Sequence, residues 1–155
     1  MSPDAKDIDG CSLLHWAAIN SRVEIIQYLI SKKADTNAVG GTNGETPLQW
    51  ALRVQACSIA VSLLLAEGAD MHHKSAYGCD ALFIAVQCSQ TNGAFVLLEE
   101  GADPNTLDAN GDTPMHWLLR RPVGNIALDM LRLLLRFNAS VTLRATLDGN
   151  NALHL

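Results

Sequence analysis

The chain reads as an all-α solenoid of helix-turn-helix repeats carrying β-hairpin-like fingers, about four full repeats and a truncated fifth. The first ground is a glycine register: Gly10, Gly44, Gly78, Gly111 and Gly149 follow one another at steps of 34, 34, 33 and 38 residues. The second is the wording around those glycines. Asp9-Gly10-Cys11-Ser12-Leu13-Leu14-His15 recurs as Asn43-Gly44-Glu45-Thr46-Pro47-Leu48-Gln49, as Asn110-Gly111-Asp112-Thr113-Pro114-Met115-His116 and as Asp148-Gly149-Asn150-Asn151-Ala152-Leu153-His154. The third is a later phrase, Gly68-Ala69-Asp70 and Gly101-Ala102-Asp103-Pro104-Asn105, with weaker copies at Lys33-Ala34-Asp35-Thr36-Asn37 and Asn138-Ala139-Ser140. These place repeats at approximately 7–40, 41–74, 75–107 and 108–145, with a partial unit at 146–155, all within a single array over 1–155.

Each element follows from local chemistry. Asp or Asn before Gly suits a tight turn with positive φ. Thr then Pro suits a helix start, with Thr as the cap and Pro at the first helical position. After a short break, Ile25, Ile26, Leu29 and Ile30, and then Val61, Leu64 and Leu65, carry the spacing of an amphipathic second helix. Gly68 and Gly101 end it as left-handed caps. One helix pair cannot bury its own apolar face, so stability has to come from stacking on the next pair.

Repeat three is the least regular, with Asp80-Ala81-Leu82-Phe83 in place of the usual phrase and a polar Gln87–Gly93 segment between its helices. Repeat four is longer, most simply at Arg121-Pro122-Val123-Gly124-Asn125, where Pro and Gly forbid a continued helix. The last unit stops at Leu155 inside its first helix, and Asp4-Ala5-Lys6-Asp7 reads as the tail of an earlier finger. A terminal repeat needs a polar outer face, so the expectation is a fragment of a longer protein.

Composition narrows the function classes. Of 155 residues, 48% are hydrophobic and 17% charged, which excludes a disordered tail. Eleven Lys and Arg against sixteen Asp and Glu leave a net charge of -5, so the basic field that attracts nucleic acid is missing. Cys11, Cys57, Cys79 and Cys88 form no Cys-x-x-Cys pair and read as reduced cytosolic thiols. The richest apolar stretch, Ile59 to Ala66, is far shorter than the roughly 20 residues of a membrane-spanning helix. No phosphate-cradling glycine motif, metal-ligand spacing or nucleophile motif is present; His72-His73 has no cysteine or carboxylate at ligand spacing. No catalytic residue, metal or cofactor is expected.

The repeated phrases resemble the ankyrin repeat, with its period of about 33 residues and its Thr-Pro-Leu-His-x-Ala signature. The resemblance covers nearly the whole chain. It implies that His15, His116 and His154 hydrogen-bond backbone at helix starts in preference to catalysing a reaction.

Trp16, Trp50 and Trp117 occupy one repeat position, where repeat three has Ile84. A large amphipathic ring there suits the anchoring of a partner in the concave groove. Asn20 lies four residues beyond Trp16 on the same helical face, and stacking repeats at about 10 Å should bring Trp50 beside it. An amide beside an indole wall is a receptor for a peptide carrying Gln or Pro. The competing reading, in which each Trp merely fills the space between repeats, stands on equal terms at this stage.

A narrower resemblance is carried by Leu14-His15-Trp16-Ala17-Ala18-Ile19-Asn20-Ser21-Arg22, Gln27-Tyr28-Leu29-Ile30-Ser31-Lys32-Lys33, Val39-Gly40-Gly41, Thr46-Pro47-Leu48-Gln49-Trp50-Ala51 and, after the long fourth repeat, Leu133-Leu134-Leu135-Arg136-Phe137-Asn138-Ala139-Ser140-Val141. These resemble the ankyrin domain of the DHHC palmitoyltransferases called huntingtin-interacting proteins. The resemblance implies a cytosolic array on a membrane-embedded S-acyltransferase of the Golgi or another endomembrane, recruiting protein substrates through short unstructured segments that end in Gln-Pro. It implies peptide-binding roles for Asn20 and Trp50, with Trp16 and Val54 beside them. Gln49, Arg53-Val54-Gln55-Ala56-Cys57 and repeat three depart from the family pattern. The catalytic Asp-His-His-Cys sequence does not occur in this chain, so the fragment itself is expected to transfer no acyl group. The rival function is a generic ankyrin scaffold that contacts a folded partner through finger tips such as Met71 to Ser75, unrelated to acylation.

Overall fold

Four residues with extended backbone start the inner helices: Ser12 before α1 (Leu13–Ile19), Thr46 before α3 (Pro47–Ala51), Asp80 before α5 (Ala81–Gln87) and Thr113 before α7 (Pro114–Arg120). Thr46 and Thr113 accept from the backbone N–H of Gln49 and His116, and Asp80 accepts from that of Phe83 at 3.0 Å. Pro47 and Pro114 hold the first helical position, where the missing N–H costs nothing. The outer helices are α2 (Val23–Ser31), α4 (Ser58–Ala66), α6 (Thr91–Glu99) and α8 (Asn125–Arg136). The structure is a computed structural model that describes residues 2–55, 57–121 and 125–142. The partial unit at 146–155, His154 and most of the Arg121–Asn125 break lie outside the described residues.

The order is a two-layer solenoid. Helix α1 packs on α3, α3 on α5 and α5 on α7, while α2, α4, α6 and α8 form the second layer in the same sequence. Leu14, Leu48, Leu82 and Met115, four residues after each register glycine, are fully or almost fully buried and form a continuous inner seam. Ile26, Val61, Leu64, Leu97 and Leu134 close it from the outer layer. Ile25, by contrast, stays about half exposed on the outer surface. The register glycines of the first four repeats all have positive φ, and Gly68 and Gly101 end α4 and α6 at φ 83° and 96°.

The fingers are joined edge to edge. Gly41 N–H donates to Asp9 O at 2.9 Å, Ala76 N–H to Asn43 O at 2.8 Å and Ala109 N–H to Tyr77 O at 3.0 Å, one bond per junction. A second set of bonds runs along the other end of three of the connections. Asp4, Asn37 and Asn105 accept from the backbone N–H of Asp35, Asp70 and Ser140, each at 2.7 Å. These bonds tie each finger to its neighbour and so hold the fingers in a row beside the inner helices. Among the described residues no helix is long and apolar enough to cross a membrane.

Candidate peptide-binding groove

Two positions nine residues apart recur along the groove: Asp7 with Trp16, Gly41 with Trp50, Ser75 with Ile84, and Asp108 with Trp117. In the first repeat the Trp16 indole N–H donates to Asp7 Oδ2 at 2.9 Å, and in the fourth Trp117 donates to Asp108 Oδ2 at 3.2 Å. Each aspartate also accepts backbone N–H groups of its own finger turn, Asp9 and Cys11 on Asp7, Asn110 and Asp112 on Asp108. The Cys11 N–H, foremost, holds the Asp7 carboxyl below the usual carboxylate range. The middle repeats lack this clasp. Gly41 offers no side chain, and the Trp50 indole N–H has no hydrogen-bond partner among the described residues. Ser75 faces an isoleucine, and its buried hydroxyl is likewise without a partner there.

Trp50 is half-buried, edge-on to Trp16 with ring centroids 5.5 Å apart and edge-on to His15 at 5.2 Å. His15 is locked beneath them. Its Nδ1 accepts from the Ser12 N–H at 3.1 Å and lies 2.9 Å from the Ser12 hydroxyl, so Nε2 carries the proton and donates to Glu45 O at 2.9 Å. The imidazole thus ties one repeat to the next finger. Gln49 does the same work without a ring: Oε1 accepts from the Thr46 N–H at 2.9 Å, and Nε2 donates to Cys79 O and His73 O, both at 3.0 Å. His116 repeats the inner half, with Nδ1 on Thr113, while its buried Nε2 has no partner among the described residues.

Burial, foremost, pushes the His15 pKa below its ordinary 6.5. Its neutral form therefore stabilises the fold above the unfolded-state pKa, and that contribution is lost as pH falls below about 6.5. His15→Gln, built on the solution seen at Gln49, is expected to keep the cross-repeat bond and remove this acid sensitivity. Thermal melts at about pH 7.5 and 5.5 should show a smaller loss of Tm for the variant than for the wild type; equal losses would contradict the assignment.

The sequence-derived site residues do not all share one hollow. Trp50 lines a hollow of about 170 Å³ with Ile19, Gly40, Gly41, Thr42, Asn43, Glu45 and Arg53. Asn20 lines another, with Trp16, Leu13 and Ile25, and its carboxamide N–H turns back to Trp16 O at 2.8 Å. Trp16 touches Trp50 and borders Asn20, while Val54, half-buried beside the core, lines neither hollow. A third hollow, of about 420 Å³, continues the Trp50 groove over repeats two to four and includes Ser75, Tyr77, Ile84, Asp108 and Trp117. Ile84 in place of a third indole leaves this space open.

Spacing arguments missed the wall between the Trp50 hollow and the third hollow. Arg53 and buried Glu45 pair there through both carboxylate oxygens, with Nε to Oε2 at 3.0 Å, and this bond, foremost, raises the Arg53 pKa. The signal was present: Asp112 and Arg120 repeat the eight-residue spacing and also pair. The cysteines add no chemistry to the groove. Burial raises the pKa of Cys11, Cys57 and Cys88 and pushes Cys79 up to about 11, so all four stay protonated thiols at neutral pH. Among the described residues no cluster of three His, Cys, Asp or Glu could hold a metal ion.

The family model for ankyrin repeats in three copies matches residues 1–75, and the stacked helix pairs continue the same architecture through α8. Residues 1–75 are ankyrin repeats. The ankyrin array is similar over most of its length to several palmitoyltransferases. It is 41% identical over 148 residues to palmitoyltransferase Hip14 of Drosophila melanogaster and 39% identical over 148 residues to palmitoyltransferase ZDHHC17 of Homo sapiens. Both matches cover 96% of this chain and 23% of the relative. Palmitoyltransferase AKR1 of Lachancea kluyveri is 34% identical over 142 residues, 89% of this chain and 19% of its own length. The ankyrin array therefore spans about a fifth to a quarter of the length of these curated relatives, and it contains no Asp-His-His-Cys sequence.

Proposed function

We propose that this ankyrin array is the substrate-recruiting part of a protein S-palmitoyltransferase and binds short, extended Gln-Pro-containing segments in its concave groove. Trp50 packs on the proline, and Asn20 pairs with the glutamine side chain or the peptide backbone, which requires its carboxamide to leave Trp16 O. The observation that carries this reading is the Trp50 hollow, an indole and the Ile19 side chain rimmed by Thr42, Asn43, Glu45 and Arg53. An aromatic wall with polar groups at its rim suits a proline-bearing extended segment, whose backbone is stiff before it binds. The whole protein is then a membrane-embedded acyltransferase, of the Golgi or another endomembrane, with this array on the cytoplasmic side.

Calorimetric titration tests the ligand side. A peptide of the pattern apolar, β-branched, any, any, Gln-Pro is expected to bind, and the same peptide with Ala-Ala at its end to bind at least about fivefold more weakly, the loss of roughly 1 kcal/mol. Equal affinity for the two peptides would remove the Gln-Pro assignment.

A further inference from the structure

The row of indoles along the groove has one gap. Trp16, Trp50 and Trp117 share a register position that repeat three fills with Ile84, a smaller side chain that lies at 1% exposure on the lining of the third hollow. That hollow, of about 420 Å³, falls within the roughly 300–1,000 Å³ of small-ligand sites. Trp117, Tyr77, Ile84 and Cys79 give it apolar surface, and Arg53, pinned by Glu45, stands on its border. Its polar fitting matches an indole too. Nine residues before the missing ring, where Asp7 and Asp108 accept an indole N–H in repeats one and four, stands Ser75, 7% exposed. The Ser75 hydroxyl has no partner among the described residues, and a buried hydroxyl left unpaired costs free energy that an incoming donor recovers. Repeat three therefore keeps the seat of an indole and lacks the ring.

We propose that this hollow is a second recognition site, which takes a tryptophan side chain of a protein partner into the place that Ile84 leaves unfilled. The inference goes beyond the peptide reading above: the hollow is divided from that of Trp50 by the Glu45–Arg53 pair, and it needs no Gln-Pro segment. The first two repeats supply the geometry. Trp16 stands edge-on to Trp50 of the next repeat, with centroids 5.5 Å apart and its N–H on Asp7. The incoming indole stands likewise edge-on to Trp117, the next indole in the register, and donates its N–H to Ser75 Oγ. One staggered step of χ1 turns that hydroxyl toward the ring. Phenylalanine fills the space and leaves the hydroxyl unpaired; tyrosine donates from the tip of its ring, whereas Asp7 and Asp108 are reached from the flank of an indole.

NMR titration of the array with N-acetyltryptophanamide tests the site directly. Saturable shifts are expected at the Ile84 methyls, the Tyr77 amide and the Trp117 indole proton, with the Trp16 and Trp50 indole protons unmoved. The 3-benzothienylalanine analogue of the probe keeps the shape of the ring and replaces the N–H with sulfur. It is expected to bind about three- to tenfold more weakly, the worth of one neutral hydrogen bond. Ser75→Ala is expected to weaken the tryptophan probe by the same factor and to leave the benzothienyl probe unchanged. Ile84→Trp, which returns the ring to the register from within, is expected to abolish binding of both; should that larger change prevent folding, Ser75→Ala removes only an unpartnered hydroxyl and decides the matter alone. No saturable shift at Ile84, shifts centred on Trp50, or equal affinity for the two probes would overturn the proposal. The Gln-Pro peptide takes no part in the titration, so its failure to bind would leave this site standing.

Discussion

Phe83→Ala is expected to lower folding stability by about 3–5 kcal/mol, the usual range for emptying a buried phenylalanine site. Phe83 is 0% exposed and stands where His15, Gln49 and His116 make polar ties in the other repeats. Repeat three has no such tie at this position. Its ring instead meets Trp117 of the next repeat edge-on at 5.9 Å, so apolar packing holds the junction. In a linear array each repeat depends on its neighbours, and a cavity at an inner junction weakens the coupling on both sides. Urea denaturation should show a large fall in midpoint with broadening of the transition, and Phe83→Leu should lose much less. A loss below about 1 kcal/mol would mean that this junction relaxes around the cavity.

The second large effect is expected at Gly40. An added Cβ would come within 2.5 Å of Gly10 O and 2.8 Å of Cys11 Cα, the backbone of the preceding finger. Backbone cannot rotate aside as a side chain can. Gly40 also exchanges both hydrogen bonds with Glu45 across its own finger, at 2.9 and 3.0 Å, so neither strand is free to retreat. Gly40→Ala should therefore destabilise by about 1–3 kcal/mol, as overpacking does. It should also weaken peptide binding, because Gly40 lines the Trp50 hollow. Gly44 provides the contrast in space: there the nearest atom to an added Cβ is Val39 Cγ1 at an ordinary 3.7 Å. A Gly40→Ala protein with wild-type stability would show that the fingers can part without cost. The Val39-Gly40-Gly41 doublet thus has two separate causes, the close approach of a neighbouring finger at Gly40 and an indole packed on a positive-φ backbone at Gly41.

The solenoid was legible because its determinants are local and repeated. Glycine turns, Thr-Pro helix starts and helical apolar spacing act within a few residues, and register multiplied the signal. The groove was less legible because its determinants lie between repeats. Nothing in the substitution of glutamine for histidine at Gln49 announces that its amide reproduces both imidazole bonds. The shared register of Trp16, Trp50 and Trp117 was visible, but the missing aspartate partner of Trp50 lies nine residues earlier, at Gly41. Asn20 borders one hollow with Trp16, in keeping with their four-residue spacing, whereas its turn toward Trp16 O depends on a side-chain rotamer that spacing does not fix. The Glu45–Arg53 wall could have been found by comparing repeat two with the Asp112–Arg120 pair of repeat four.

The most direct test compares two tryptophans that share a repeat position and differ in their clasp and their ring neighbours. Affinity for the Gln-Pro peptide should be measured by calorimetry in the wild type, Trp50→Ala and Trp117→Ala. Recruitment through the Trp50 hollow requires that Trp50→Ala lose more than about 1 kcal/mol of binding free energy while Trp117→Ala binds as the wild type does. Wild-type affinity in Trp50→Ala, or an equal loss in both variants, would contradict it.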